Sequence, residues 1–304
     1  MNIYAAAVYT SNLFQHGPMF NRLDPREQQA RLALRYTLES YHYVHKKSMV
    51  DRMRTDKVKV FLDSGAFSAF MLGAEIDIDG YGEYIKTNKD LIEHYSVLDG
   101  IGDPQKTWEN QEYLERFGLR PIPCFHYGED ERYLEYYIKH YDYISLGGMV
   151  PISTPQLILW LDRIWHEYLV GADRRPVVRV HGFGLTRLQL LYRYPWYSVD
   201  STSWQQAGSA GRLILPVGKT VAVSDVSPTR KQAGQHVDNV STMERDVIWQ
   251  FVTSRGFDPA RMQRTYLARW CYNLNSLSEI NDLLDKREQA GLNVFTNEQI
   301  HLFP

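Results

Sequence analysis

Short apolar runs alternate with helix-like stretches along most of the chain, and this alternation constrains the fold more than any other feature. The runs that we predict as strands are Ile3–Val8, Val58–Leu62, Tyr95–Ile101, Pro121–Phe125, Tyr143–Leu146, Val177–Val180 and Trp196–Val199. Strands that alternate with helices are typical of parallel βα units. Seven of them in a chain of 304 residues favour a (β/α)8 TIM-type barrel over an open doubly wound sheet.

Helix signals fill several of the intervening segments. Leu34, Leu38 and Tyr41 follow the i, i+4, i+7 spacing of one helical face. Thr154 suits the N-cap of a helix, and Pro155 suits its first position. The segment "DERYLEYYIKHY" has an amphipathic pattern. We therefore predict helices at all three places.

The amino-acid composition of the chain changes after about residue 205. Gly, Ser and Pro become frequent around a hairpin-like segment, "LILPVGKTVAV", and helical patterns return from about Met243. We expect a single barrel domain over residues 1–304, with a hairpin and loop excursion near the barrel mouth at 205–240. The helices of 241–304 are expected to close the barrel.

Composition excludes several classes of protein. Lys and Arg number 34 against 36 Asp and Glu, so the formal charge of −2 is not that of a general nucleic-acid coat, although a local basic face is compatible with it. Two cysteines, Cys124 and Cys271, exclude a Cys-rich zinc module and argue against a disulfide scaffold. The sequence shows neither a signal peptide nor a run of 18 apolar residues. We expect a cytoplasmic protein with no membrane partner.

Familiar cofactor and metal motifs are missing from the sequence. It contains no GxGxxG and no GxxxxGK[ST], which removes the usual dinucleotide and P-loop readings. Its ten histidines form no HExxH or other compact metal motif. The sequence therefore predicts no cofactor and no bound metal.

Polar or backbone-exposing residues follow most of the predicted strands. In a (β/α)8 barrel the carboxyl ends of the strands form the active site. The residues at these ends are Asp63, either Asp99 or Asp103, His126, Gly147 with Gly148, His181 and Asp200. A single aspartate after a strand is more often a helix cap or a turn former than a functional group. Several in one ring favour a site.

Asp63 and Asp200 each end an apolar run and precede a small polar residue. Two carboxylates that face one centre suit glycosyl chemistry, in which one attacks an anomeric carbon and the other carries a proton. The alternative is two unrelated caps. Gly147 and Gly148 allow a ligand to approach the backbone, or simply form a tight turn. His126 and His181 are more often structural than catalytic in such positions.

Taken in order, these segments resemble the tRNA-guanine transglycosylase superfamily. "FLDSGAFSAF" resembles its "TDSGGFQ" segment, "ISLGGMV" its "IGGL" turn, and "RVHGFGL" its "LMGVG" strand. "YSVDSTSW" falls where the family has "GxDxFDCVxPTR", and "GRLILPVGKTVAV" is similar to the hairpin that follows. The resemblance covers about residues 60–225. It implies a modified (β/α)8 barrel that exchanges guanine in a nucleic acid for a 7-deazaguanine base.

The resemblance also implies roles for individual residues. Asp200 would be the nucleophile that attacks C1′ and holds the sugar as a covalent ester, and Asp63 would be the acid/base. The residues that would contact the base are Phe67, by stacking, and Asp103, His126, Gly147, Gly148, Met149 and His181. His126 and His181 stand near a glutamine and a methionine of the family, so they are departures from its pattern.

The chain also departs from the tRNA enzymes in two larger respects. It lacks their CxCxxC…H zinc site, and "STSWQQAGSAGR" replaces their "PTRxGR" segment. In these respects, and in "IGDPQKTWEN" and "CFHYGED", it looks more like the DNA-modifying 7-deazaguanine transglycosylases of bacteria and phages, which help DNA to evade restriction. The expected partners are double-stranded DNA and a free base such as 7-cyano-7-deazaguanine.

The segment after the proposed nucleophile is the expected contact with the nucleic acid. We predict stacking or hydrogen bonds to bases and contacts to phosphates from Trp204, Gln205, Gln206, Arg212, Lys219, Arg230 and Lys231. The alternative is that Trp204 packs in the core and the basic residues are only solvated. Other functions also remain open: a transglycosylase acting on RNA, a nucleoside hydrolase on the same barrel, and a binding protein without activity.

Overall fold

Eight strands form one parallel sheet in the computed structural model of the protein, which describes residues 1–185, 187–232 and 234–296. They are β1 (Asn2–Ala6), β2 (Thr37–Ser40), β3 (Val60–Asp63), β4 (Ile92–Tyr95), β5 (Cys124–His126), β6 (Tyr143–Gly147), β7 (Arg179–Gly182) and β8 (Ser198–Ser201). Their order in the sheet is β4-β3-β2-β1-β8-β7-β6-β5. All pairs except β1 with β8 therefore join strands that are consecutive in sequence, which is the order of a TIM-type barrel and not of a doubly wound sheet.

The two outer strands of this sheet, β4 and β5, are linked just beyond their ends. Ser96 and Ile122 form a parallel bridge, with Val97 N donating to Ile122 O at 3.0 Å and Ile122 N donating to Tyr95 O at 2.9 Å. Side chains from strands all around the sheet also share one apolar cluster, whose buried members are Tyr4, Ala6, Leu38, Phe61, Ile122 and Tyr143. The sheet is thus curled around a common core, as expected for a TIM-like α/β fold.

Helices lie between the strands of the sheet along the sequence and follow the last of them. They are α1 (Pro25–Leu32), α2 (Tyr41–Val44), α3 (Lys47–Thr55), α4 (Ala66–Met71), α5 (Ile78–Thr87), α6 (Pro104–Arg116), α7 (Glu131–His140), α8 (Thr154–Ile164), α9 (Leu188–Arg193), α10 (Ser203–Ser209), α11 (Thr242–Thr253), α12 (Pro259–Arg264) and α13 (Tyr266–Gln289). A π-helix, Trp165–Leu169, continues α8. In the described part of the chain, none of these helices combines the length and apolar character needed to cross a bilayer.

The predicted helix across Leu34 to Tyr41 is wrong, because this segment contains strand β2. The polar residue in the middle of the strand explains the error. Glu39 is fully buried, and its carboxylate accepts hydrogen bonds from the backbone N–H groups of Tyr9, at 2.7 Å, and Thr10, at 3.2 Å. A buried strand that carries a carboxylate to satisfy a neighbouring loop does not have an apolar pattern.

Most other predicted elements are confirmed with shifted bounds. Strand β4 ends at Tyr95, where the prediction began it. Helix α8 has Ser153 at its N-cap, one residue before the predicted cap at Thr154. The predicted hairpin is present as the antiparallel strands β9 (Arg212–Ile214) and β10 (Thr220–Ala222).

The chain divides into two compact units. Unit 1 consists of Met1–Ser11, Tyr36–Ser201 and the C-terminal segment from Leu284, and it contains the eight-stranded sheet. Unit 2 consists of Asn12–Arg35 and Thr202–Leu283, and it contains the β9–β10 hairpin.

Unit 2 is held together by contacts between segments that are far apart in sequence. Glu27 is fully buried and accepts hydrogen bonds from the Arg261 guanidinium, at 2.7 Å for both oxygens. Asn273 donates from Nδ2 to Trp204 O at 2.9 Å and accepts from Ile214 N at 2.8 Å. One amide side chain thus joins α10, α13 and the hairpin.

Candidate active site at the carboxyl ends of the strands

The two-residue period of the strands brings several polar side chains to the inner side of the sheet. Successive side chains of a strand alternate between its faces, so residues two apart share a face. Phe61 belongs to the apolar cluster, and Asp63 follows it by two residues. Tyr4, in the same cluster, is paired in register with Asp200 of β8. Both predicted catalytic carboxyls therefore stand above the core at the ends of their strands.

Asp63 is half-buried and has few hydrogen-bond donors around it. Its Oδ2 accepts from Gly65 N at 2.9 Å, and its Oδ1 accepts from Ser96 Oγ at a long 3.5 Å. The pKa of Asp63 is raised to about 7, first by burial and then by the negative charges of Asp99 and Asp200, while the two hydrogen bonds oppose the rise. Asp63 can therefore hold or release a proton near neutral pH, in an environment shared with two other carboxyls.

Asp200 is buried and has a different environment. Gly184 N donates to its Oδ1 at 3.0 Å, and His181 Nε2 lies 3.2 Å from the same oxygen. A carboxylate only accepts, so the proton of a neutral His181 is on Nε2, and Nδ1 accepts from the Ser198 hydroxyl at 2.6 Å. Ser198 in turn accepts from the Tyr143 hydroxyl at 2.6 Å. This buried chain fixes the Asp200 carboxylate through one oxygen.

His181 thus has a position that differs from the one the resemblance implies. Its side chain is fully buried, and its ring packs against Phe61, Phe183 and Tyr4, with ring centroids 4.6, 4.5 and 6.1 Å away. It supports Asp200 from below and has no exposed face with which to cover a base.

The side chain of His126, at the end of β5, lies near three other side chains that can bind a proton or a metal ion. Nδ1 is 3.0 Å from Glu129 Oε1, while Nε2 is 3.5 Å from both Asp99 Oδ2 and Cys124 Sγ. Burial lowers the pKa of His126, but contacts with Cys124 and Asp99 outweigh it, so the net direction is upward. Because burial raises the pKa of the Cys124 thiol, the thiol is neutral at neutral pH, and we attribute the stabilised positive charge to the carboxylates.

Gly147, the last residue of β6, and Gly148 lie close to β5 and the residue after it. Gly147 is buried, and a Cβ built there would come within 2.7 Å of His126 Cδ2 and 2.9 Å of Cys124 Sγ. Gly148 is exposed, with a positive φ of 68°, and a Cβ there would be 3.1 Å from Tyr127 N. Met149 is buried. Of Gly147, Gly148 and Met149, which were all predicted to contact a base, Gly148 alone is exposed to solvent.

The small residues after Asp63 allow close packing against neighbouring residues of the chain, Ser40 and His42. A Cβ on Gly65, whose φ is 80°, would lie 2.3 Å from Ser40 Oγ and 2.7 Å from His42 Cβ. Ser64 and Ala66 are buried. These small residues therefore pack against the protein, whereas Phe67, on α4, is 60% exposed.

Asp103, a predicted base contact, has a helix-capping role. It is the exposed N-cap of α6, and its Oδ1 accepts from Lys106 N at 3.0 Å. The aspartate that reaches the strand-end group is Asp99, which the sequence left as an alternative. The Asp103–Pro104 pair is itself a helix-start signal that could have separated the two residues.

The segment that was expected to contact the nucleic acid, residues 204–231, belongs to unit 2. Trp204 is fully buried, with the Trp270 ring 5.5 Å away in an edge-on arrangement, so its indole does not offer a stacking surface. Gln205 is half-buried and Gln206 is exposed. The exposed basic residues of the segment are Arg212, Lys219, Arg230 and Lys231. Arg230 pairs with Asp238 at 3.0 Å.

Comparisons with known proteins give one distant relative. The chain is 22% identical over 228 residues to a protein of Sulfolobus islandicus rod-shaped virus 1 named "Uncharacterized protein 306", and the match covers 69% of this chain and 68% of the viral protein. No protein-family model matches the sequence.

Proposed function

We propose that the protein is a DNA guanine transglycosylase, built on a closed (β/α)8 barrel, that exchanges guanine in DNA for a 7-deazaguanine base. The observation that carries the proposal is the contrast between its two strand-end carboxyls. Asp63 has a pKa of about 7, raised first by burial, while Asp200 is fixed by N–H donors from Gly184 and His181. Two carboxyls with such different environments suit one proton carrier and one nucleophile.

Asp200 is the proposed nucleophile. Among the described residues, Gly184 N and His181 both contact Oδ1 of Asp200, so Oδ2 is the oxygen that we assign to the attack. Oδ2 forms a bond to C1′ of the target nucleotide, the C1′–N9 bond breaks, and guanine leaves with the bonding electron pair. The deoxyribose is then held as an ester of Asp200.

Asp63 is the proposed proton carrier for both halves of the exchange. In its neutral form it gives a proton to the departing guanine, and the resulting carboxylate takes a proton from the incoming 7-deazaguanine. The deprotonated N9 attacks C1′, and the ester bond to Asp200 breaks. A pKa of about 7, set mainly by burial, suits a group that must work in both forms near neutral pH.

Phe67 and Gly148 are the residues that we assign to the base. Phe67 is 60% exposed only four residues after Asp63, so its ring is available for stacking. Gly148 is exposed directly after β6 and presents its backbone without a side chain. The buried Met149 and His181 are not assigned to base contacts.

The proposed polymer is double-stranded DNA, with RNA as the runner-up. Exposed Arg212, Lys219 and Lys231 of unit 2 can supply phosphate contacts. The distant relative is a viral protein, and the exchange that we propose would protect viral DNA from restriction. In that setting the protein would act in the cytoplasm of the host cell.

The proposal is tested by exchange of labelled guanine from duplex DNA and from tRNA, with and without added 7-deazaguanine bases. We expect label to leave DNA only when a 7-deazaguanine base is present, and nucleoside mass spectrometry to detect the new base. Asp77→Asn is the matched control variant, because Asp77 is a carboxylate that caps α5. Exchange in tRNA alone would favour the runner-up, and release of guanine without an added base would favour a nucleoside hydrolase.

A further inference from the structure

We propose that Asp99, Cys124 and His126 form a binding site for a divalent transition-metal ion, with Zn²⁺ as the best match. One ligand atom from each residue lies within 4.8 Å of the other two. Carboxylate oxygen, cysteine sulfur and imidazole nitrogen are the three donor types that bind zinc in proteins, whereas Mg²⁺ and Ca²⁺ select oxygen.

The distance between His126 and Asp99 suits a shared ion better than a direct hydrogen bond. His126 Nε2 lies 3.5 Å from Asp99 Oδ2 and 3.5 Å from Cys124 Sγ. The nitrogen–oxygen distance is longer than an N–H···O hydrogen bond of about 2.7–3.2 Å. Two ligands of a tetrahedral zinc, at bond lengths of about 2.0–2.3 Å, are about 3.3–3.7 Å apart. The two distances from His126 therefore match two edges of such a site, and the atoms of Asp99 and Cys124 lie within 4.8 Å of each other.

Glu129 supplies the supporting contact that metal-binding histidines usually have. Its Oε1 is 3.0 Å from Nδ1 of His126, and its Oε2 accepts from His126 N at 2.9 Å. When a metal ion replaces the proton of Nε2, the carboxylate at Nδ1 keeps the remaining proton on that nitrogen, and the lone pair of Nε2 is then directed at the ion. Carboxylate–histidine pairs of this kind fix the ring and increase its affinity for metal.

Two further features leave room and need for an ion. Asp99 Oδ1 is buried and has no hydrogen-bond partner in the described part of the chain, which is costly for a carboxylate unless something else binds it. On the neighbouring strand, a Cβ at Gly147 would lie 2.9 Å from Cys124 Sγ and 3.1 Å from His126 Nε2. Glycine therefore keeps one side of the group clear.

Sequence motifs did not reveal this site, and the expectation of no bound metal rested on their absence. Cys124 and His126 are two residues apart on one strand face, while Asp99 follows a different strand. Three protein ligands leave a fourth position for water or another ligand. The inference does not depend on the proposed transglycosylase activity, and its test does not use that activity.

The first measurement is the metal content of the full chain after expression with zinc and removal of loosely bound metal. We expect about one zinc per chain, as for a mononuclear site, in the wild-type protein and in Cys271→Ser. Cys271 is the other buried cysteine, so it is the matched control. Cys124→Ser should lose the zinc. Equal zinc content in Cys124→Ser and wild type, or none in either, would overturn the proposal.

Cobalt substitution and competition with a chromophoric chelator provide a second readout. We expect a thiolate-to-cobalt charge-transfer band in wild type and Cys271→Ser but not in Cys124→Ser. Glu129→Gln, which keeps all three ligands, should weaken zinc binding by about 10- to 100-fold. Added ZnCl2 should raise the melting temperature of wild type but not of Cys124→Ser, provided that circular dichroism shows both to be folded. A cobalt band that survives in Cys124→Ser would contradict the assignment of the thiolate.

Discussion

Asp63 is the last residue of β3 and Asp200 the last but one of β8, and small residues follow both, yet the two carboxyls have different surroundings. Asp63 has a long contact to Ser96 and lies in the field of two other carboxyls. Asp200 is held by Gly184 N and by His181, which a chain of hydroxyl groups supports from below. The comparison shows that local sequence sets where a carboxyl stands, while side chains from other strands set what it can do.

The largest expected difference between the two carboxyls follows from removal of the proposed nucleophile, Asp200. Asp200→Asn should lower the rate of base exchange by on the order of 10⁴-fold or more, because an amide is a far poorer nucleophile than a carboxylate. Single-turnover exchange on duplex DNA measures this loss, with Asp77→Asn as the control. Substantial exchange by Asp200→Asn in a folded protein would transfer the nucleophile role to another carboxyl.

Removing the proposed proton carrier should have a smaller effect. Asp63→Asn should slow exchange by about 10²- to 10⁴-fold, the usual contribution of a general acid or base. The covalent ester should still form slowly, because Asp200 is unchanged. A rate–pH profile of the residual activity should lose the titration near pH 7 that burial gives to Asp63 in the wild-type protein. Retention of that titration would assign it to another group.

Asp63→Asn should slow the exchange reaction but increase the stability of the fold. The pKa of Asp63, raised mainly by burial to about 7 in the folded protein, is about 4 in the unfolded chain. The unfolded state therefore releases its proton first, and the free energy of unfolding of wild type falls as the pH rises from about 4 to 7. Asn mimics the neutral acid, so Asp63→Asn should be more stable than wild type at pH 8, by roughly 1–4 kcal/mol.

Urea unfolding of both proteins at pH 5 and pH 8 measures this difference. The advantage of Asp63→Asn should be small at pH 5 and largest at pH 8. The groups that face Asp63 are Asp99, Asp200, Ser96, Gly65 and Tyr81, and the variant leaves all of them in place. An advantage that does not change with pH would mean that the carboxyl is not titrating in this range.

The smallest effect concerns Asp103, the carboxyl that caps α6. Asp103→Ala should lower the free energy of unfolding by about 1 kcal/mol, because it removes the N-cap of α6. Its effect on the apparent affinity for the incoming base separates the two interpretations of this residue. A capping role predicts no change, whereas a large rise in KM would restore the base contact that the resemblance implies.

Much of the fold followed from the sequence because its strands are apolar and regularly spaced. Strand β2 was missed, since Glu39 puts a buried charge in the strand to bind the backbone of a loop near Tyr9. That contact joins residues 30 apart in sequence. No local pattern of hydrophobicity encodes such a partner.

The site was only partly predictable for the same reason. Asp63 and Asp200 could be found because each ends an apolar run. The burial of Trp204 against Trp270 depends on residues more than 60 positions away, as the 65-residue separation of the Trp270 to Gln205 hydrogen bond illustrates. The contact of Asp99 with His126 likewise depends on two different strand ends. Neither contact could therefore be predicted from the spacing of residues in the sequence.

The most direct test of the central claim is to identify which carboxyl carries the sugar. Wild-type protein is incubated with duplex DNA, denatured to trap the ester, digested and analysed by mass spectrometry. The account predicts a deoxyribose-linked adduct on the peptide that contains "YSVDSTSW", at Asp200, and no adduct from Asp200→Asn. An adduct on the peptide that contains "FLDSGAF", at Asp63, would contradict it.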